Sequence, residues 1–272
     1  MILPGWPAAH QKNNMMKKTV ILYFGLLFLS TTMFAQHAHF TTSGTIEFEK
    51  KVNIYAMIKK EINKDNEAFY EPMFDQYKKN NPQFKTLKSK LSFADNKTLF
   101  TPAEDDGSNN GFFGDSPLTG QTNTIFTDLA GNIETAQKKV FEETYLVRDT
   151  ARKIRWKITD ETREIAGYTC RRANAIILDS IYVVAFYTTQ IPVSGGPESF
   201  TGLPGMILGV ALPHENLSWF ATKVTDASLP PAAVVPPKKG KPMDYKKFVE
   251  TVHGFTKDWG TWGQSYVKGF ML

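Results

Sequence analysis

The sequence has a single cysteine, Cys170, in 272 residues. That excludes an internal disulfide, so a stable fold must come from an apolar core. There is no Cys-x-x-Cys pair; Arg171 and Arg172 beside Cys170 could favour a reactive thiol, but free cysteine is among the most buried residue types, and Cys170 reads as an inert, buried position in a strand. Histidine is almost as sparse: beyond residue 35 there are only His37, His39, His214 and His253. None stands where a general base beside a nucleophile is recognisable, and the Gly-x-Ser-x-Gly elbow is absent. The stretch His214-Glu215-Asn216-Leu217-Ser218 opens like a zinc-protease helix but lacks the second histidine one turn on, so it reads as a solvated hairpin loop. Gln36-His37-Ala38-His39 reads as a polar terminal segment rather than a metal site. The loop segment 106–111, Asp-Gly-Ser-Asn-Asn-Gly, begins like a calcium loop. The expected bidentate acid is replaced by Pro117, and no metal is expected there. After Leu29 there is no apolar run long enough to span a membrane.

What is present starts with an address. Lys17 and Lys18 precede the apolar run Val20–Leu29, and Met33-Phe34-Ala35 ends in a small residue before Gln36. This is the pattern of a secretory signal peptide cleaved near Ala35/Gln36, which places the mature chain in the periplasm or outside the cell. The run is too short for a membrane anchor, which needs about 20 apolar residues. The formal charge of +5 owes Lys12, Lys17 and Lys18 to this leader. The mature chain is close to neutral, and nucleic acid is not an expected partner.

Beyond the leader the apolar residues alternate in short runs. Ile46 and Phe48 oppose Glu47 and Glu49, predicting a half-buried strand over 42–55. Three- and four-residue spacing of Ile62, Phe69, Met73 and Tyr77 predicts one or two helices over 58–79. Segments 84–93 and 98–102 read as a hairpin about Ala94–Lys97, and 103–123 as a polar loop. Strands follow around 124–129, 136–148, 153–158, 164–178, 181–189 and 216–224, with Thr159–Thr162 as a turn. The whole predicts an α+β fold, mainly antiparallel β, with a single curved sheet or half-barrel and one or two packed helices. The predicted organisation is an upstream extension and signal peptide over 1–35, a β-rich domain over 36–228, a Pro-rich linker over 229–242 and a helical, aromatic extension over 243–272.

The segments 153–175 and 186–210 carry a resemblance. They contain Trp156, Gly167-Tyr168-x-Cys170, Ile191-Pro192, Gly196-Pro197 and the heptapeptide Gly202-Leu203-Pro204-Gly205-Met206-Ile207-Leu208. In these the chain resembles the GLPGLI family, with Met206 in place of the usual leucine, a volume-conserving exchange. The resemblance covers about 40–225; the 58–80 insert, the 103–123 loop and the C-terminal extension depart from it. It implies an exported protein of Gram-negative bacteria with no established activity and supplies no catalytic residue. By looser analogy the run of antiparallel strands is similar to the LolA-like lipoprotein-carrier half-barrels, and a fold does not fix function.

Within the motif, Leu203–Met206 suits a type II turn, with Pro204 presetting the second position and Gly205 supplying positive φ. Gly202 suits a close approach on entry. The 188–202 loop is then expected to fold over the sheet edge and be pinned by this turn. The expected function is non-enzymatic binding of a lipid or other apolar small molecule, with Trp156, Tyr168, Phe186, Leu203, Pro204 and Met206 as candidate contacts and no cofactor. The alternative is an accessory module docking an envelope protein through the Pro-rich segment and the aromatic tail.

Overall fold

Strand β1 (Gly44–Asn53) shows how the sequence builds the sheet. Ile46, Phe48 and Val52 point to one face and are buried, while Glu47 and Lys51 point away and are exposed. The same two-residue period orients the other strands. The computed structural model describes residues 40–103 and 116–272, with Phe40–Leu272 as one unit. The leader, Gln36–His39 and Asp106–Gly111 lie outside the described residues.

After β1, Asn53 caps helix α1 (Ile54–Glu61) by accepting from the Ala56 amide, and α2 (Glu67–Asn80) follows. A first meander is formed by β2 (Phe84–Ala94), β3 (Lys97–Pro102), β4 (Thr124–Asp128), β5 (Ile133–Val140) and β6 (Glu143–Thr150). A second is formed by β7 (Lys157–Ile165), β8 (Tyr168–Ile177), β9 (Ile181–Thr188), β10 (Met206–Leu212) and β11 (Leu217–Asp226). Both belong to one sheet, ordered β12-β6-β5-β4-β3-β2-β1-β11-β10-β9-β8-β7, where β12 (Lys241–Met243) pairs parallel to β6 and every other pairing is antiparallel. Helices α3 (Tyr245–Thr256) and α4 (Gly260–Met271) end the chain.

Chain connectivity forces this sheet to curve. Residues 151–156 alone join β6 to β7, which lie ten strand spacings apart. Flat, those spacings would cover about 48 Å, whereas the connecting residues reach about 25 Å at full extension. Curvature carries the far end back on itself: the Arg163 guanidinium of β7 sits over the rings of both Phe186 and Phe220, at 5.7 and 4.7 Å. The expectation of an open, curved, mainly antiparallel sheet is met, with four helices packed on it.

Among the described residues the apolar side chains form two main cores and a small third cluster of Ala94, Phe126 and Val234. The larger gathers Ile46, Phe48, Leu91, Val183, Val210 and Trp219 with Ile191, Val193, Phe200 and Leu203 of the 189–205 connector. The smaller packs Phe248 and Val252 of α3 and Phe270 and Met271 of α4 on Val140, Tyr145 and Val147.

Several local expectations are corrected. The 189–205 connector does not fold over the sheet edge. It crosses the sheet, its Gly195 reaching Thr98 of β3 and its Ser199 bonding Glu134 of β5. The expected 136–148 strand is the β5–β6 hairpin, because Phe141 adopts a left-handed φ of 54° and turns the chain. Residues 159–162 are not a turn but an irregular stretch within β7. The turn comes at Ala166-Gly167, with φ of 50° and 84°. Only Lys157 and Ile158 of the expected 153–158 strand are in β7. Leu203–Met206 is not a type II turn: the Gly205 amide donates to the Leu203 carbonyl at 2.7 Å, a tighter closure about Pro204. The Met206 amide donates instead to the Ile191 carbonyl at 3.0 Å.

Candidate functional site

The inward face of β1 contains one residue that breaks the apolar register. Lys50 lies between Phe48 and Val52, is 3% exposed, and pairs across the strands with Trp219 of β11. Its Nζ sits 4.9 Å from the Trp219 ring centroid and donates to the Gly120 carbonyl at 2.6 Å. Burial pulls its pKa down to about 8, opposed by the nearby Glu198 charge. Lys138 breaks the register of β5 in the same way, between Ala136 and Val140. It donates to the Phe270 carbonyl at 3.1 Å and lies 5.9 Å from the Phe248 ring centroid, with its pKa also lowered by burial to about 8.

The carboxylates come from elsewhere. Glu198 sits in the 189–205 connector with a left-handed φ of 49° and is 5% exposed. Burial raises its pKa against the pull of Lys50 and Lys138. Its Oε2 accepts from Asn123 Nδ2 at 3.3 Å. Glu134 Oε1 accepts from Ser199 Oγ at 2.9 Å, while its Oε2 is buried without a partner. Both amide atoms of Gln121 and the indole Nε1 of Trp219 are likewise buried and unpartnered. Each such atom forfeits about 1–3 kcal/mol if nothing else meets it. Gln121 and Trp219, though not Glu134, line one space, and unmet groups of this kind are the mark of a site that something polar fills.

That space is a cavity of about 360 Å³. Its floor is Lys50 and Trp219; Gln121, Asn123 and Glu198 line its polar side, and Phe141, Tyr266 and Phe270 its aromatic side. The left-handed turn at Phe141 brings its ring parallel to Tyr266, 6.4 Å between centroids and 19° between planes, and edge-on to Phe270 at 5.5 Å. Phe255 and Trp259 extend this cluster to the surface, where Phe141, Phe255 and Trp259 are exposed. The site thus combines a cation, a carboxyl and free amide and indole groups with an aromatic wall.

None of the six candidate contacts expected from the sequence lines this cavity. Phe186, Leu203 and Met206 are buried in the larger core, and Tyr168 packs at its margin. Pro204 is exposed, and Trp156 is half-buried, its Nε1 donating to the Thr201 carbonyl at 2.8 Å. In the heptapeptide, Ile207 and Leu208 are core, and Gly202 has a φ of 92° with no crowding around it. The close approach belongs to Gly205, where a Cβ would lie 2.1 Å from the Thr188 carbonyl oxygen. Cys170 is fully buried, its thiol donating to the Tyr168 carbonyl at 3.4 Å and its pKa pushed up to about 12 by burial. A signal for Lys50 was present in its inward position in an alternating strand, Ile46-x-Phe48-x-Lys50-x-Val52; Lys138 shows the same pattern in Ala136-x-Lys138-x-Val140 but does not line the cavity. Among the described residues no group of histidine, cysteine or acidic side chains could hold a metal ion, and no helix is long and apolar enough to cross a membrane.

Residues 177–209 match a family described as "Protein of unknown function (Porph_ging)". The match takes in β9, the connector and the heptapeptide, under a different name from the GLPGLI resemblance and with no function attached. No curated protein matches the chain. Among solved structures, two crystal forms of PNGF-II are similar at 14% and 16% identity, with TM-scores of 0.49 and 0.48. These alignments cover 76% and 77% of this chain but only 32% and 33% of the PNGF-II chain, so this chain spans about a third of that protein's length. An uncharacterised conserved protein from Thermus thermophilus is similar at 5% identity and a TM-score of 0.37, covering 75% of this chain and 91% of its own.

Proposed function

We propose that this chain is a non-enzymatic binding protein, acting after export, that takes a small molecule with a polar head and an apolar body into the cavity over Lys50 and Trp219. The carrying observation is the set of unpartnered buried groups of Gln121 and Trp219 beside Lys50 and Glu198 in one cavity. A purely apolar ligand is less suited. The concave surface that could hold one is filled by Ile191, Val193, Phe200 and Leu203 of the chain's own connector. The basic and apolar pattern of residues 17–35 supports the exported setting.

The test uses 1-anilinonaphthalene-8-sulfonate, an aromatic body with one anionic head. One saturable site per chain is expected, with energy transfer from tryptophan and weakened binding in a folded Lys50→Met variant. Absence of saturation, or binding unchanged by Lys50→Met, refutes the reading. A second reading, docking of an envelope protein, rests on the exposed Phe141, Phe255 and Trp259. It requires that Phe255→Ser with Trp259→Ser abolish partner capture while dye binding persists.

A further inference from the structure

We propose that the cavity selects a zwitterion of the amino-acid type, its carboxylate on Lys50, its ammonium on Glu198 and its apolar side chain against the Phe141–Tyr266 wall. This rests on the cavity being the ligand site. Lys50 and Glu198 line the same space, yet each is met separately: Lys50 donates to Gly120 and Glu198 accepts from Asn123. An ammonium carries three donors and a carboxylate about four acceptor positions, so both groups keep capacity for a ligand. Gln121 adds one free donor and one free acceptor, a match for the two ends of a zwitterion, and Trp219 Nε1 adds a donor suited to the carboxylate.

Charge balance points the same way. A simple anion on Lys50 would bring negative charge towards Glu198, and a simple cation on Glu198 would face Lys50. A zwitterion satisfies both and adds no net charge to a buried place where unpaired charge is costly. At about 360 Å³ the cavity is near the lower end of the roughly 300–1,000 Å³ usual for small-ligand sites. That suits a single amino acid or a short peptide fragment and not a long acyl chain.

The experiment is calorimetry on the purified chain with three probes: L-phenylalanine, phenethylamine, which lacks the carboxylate, and 3-phenylpropanoate, which lacks the amine. Phenylalanine is expected to bind at least about ten-fold tighter than either half-ligand, because each loses a charge-assisted contact. Glu198→Gln should remove the preference over 3-phenylpropanoate and keep that over phenethylamine, and Lys50→Met should do the reverse. The wild-type comparison needs no variant, so a misfolded variant does not blunt the test. A half-ligand binding as tightly as phenylalanine overturns the zwitterion while leaving the cavity reading intact. Failure of all three probes also overturns it, and the dye titration then shows separately whether the cavity binds anything.

Discussion

Replacing Gly205 by alanine tests how the 189–205 connector is held. Gly205 has a φ of 153°, and a Cβ there would meet only backbone: the Thr188 carbonyl oxygen at 2.1 Å, the Thr188 carbonyl carbon at 2.8 Å and Thr189 Cα at 3.1 Å. No side chain can rotate away to make room. The backbone must shift, and the adjoining bond from the Met206 amide to the Ile191 carbonyl, 3.0 Å long, shifts with it. Conformational strain of roughly 1–3 kcal/mol and a disrupted buried hydrogen bond of similar size sum to about 4 kcal/mol. At about 3 °C per kcal/mol for a domain of this size, the melting temperature falls by about 12 °C. Two other glycines calibrate the result. Gly202 has a φ of 92° but only the Trp156 indole nearby, at 3.7 Å, so Gly202→Ala carries strain without collision and should lower the melting temperature by about 5 °C. Gly254, inside α3, has nothing within 4 Å, so Gly254→Ala should raise stability by up to about 1 kcal/mol. Circular dichroism melts of the three variants against wild type decide it. A Gly205→Ala drop no larger than that of Gly202→Ala refutes the collision argument.

Other outcomes follow from the same structure. Burial lowers the Lys138 pKa from 10.5 to about 8, so between those values the unfolded chain holds a proton that the folded chain has released. Its contribution to stability therefore rises with pH across that window. Denaturant titrations at pH 8 and pH 10 should show Lys138→Met losing ground to wild type at the higher pH, and a constant difference would contradict the sign. Cys170, its thiol pushed up to about 12 and fully buried, should react with a disulfide reagent at pH 8 only as the chain unfolds. Rapid labelling of native protein would disprove that. Asp244 caps α3 by accepting from the Lys247 amide at 2.7 Å, so Asp244→Ala should remove about 1 kcal/mol, seen as a melting temperature about 3 °C lower. An unchanged melt would show that the cap contributes nothing.

Strands whose local pattern and burial agree were legible in the sequence. The alternation in β1, the continuous apolar run of β9 and the Asp95-Asn96 turn between β2 and β3 all state their structure locally, the last with φ of 50° and 55°. Turns made by residues that rarely turn were not. Phe141 and Ala166 take left-handed φ values because the surrounding sheet compels them, and neither belongs to the usual turn vocabulary. Strand β12 was hidden in a segment of prolines and lysines, since its three residues carry no alternating apolar pattern and pair with β6, about 100 residues away in the chain. The site divides along the same line. Lys50 could be read from its register, but Gln121 and Glu198 come from irregular segments whose positions depend on contacts with distant strands. In the heptapeptide, Leu203, Met206, Ile207 and Leu208 pack in the core and Gly205 has no room for a side chain, neither of which its sequence states locally.

The pairing of β1 with β11 joins the two meanders, and it has a consequence for how the molecule is made. Lys50 and Trp219 come together only when the first strand, already paired on one side with β2, accepts a partner from near the end of the sheet's sequence. Pairing across so long a stretch of chain is intrinsically slow. Until then β1 offers an open edge, a template for wrong partners. Because Lys50 and Trp219 meet only across this joint, the ligand proposed above would recognise the closed sheet alone and, by binding, would hold the joint shut.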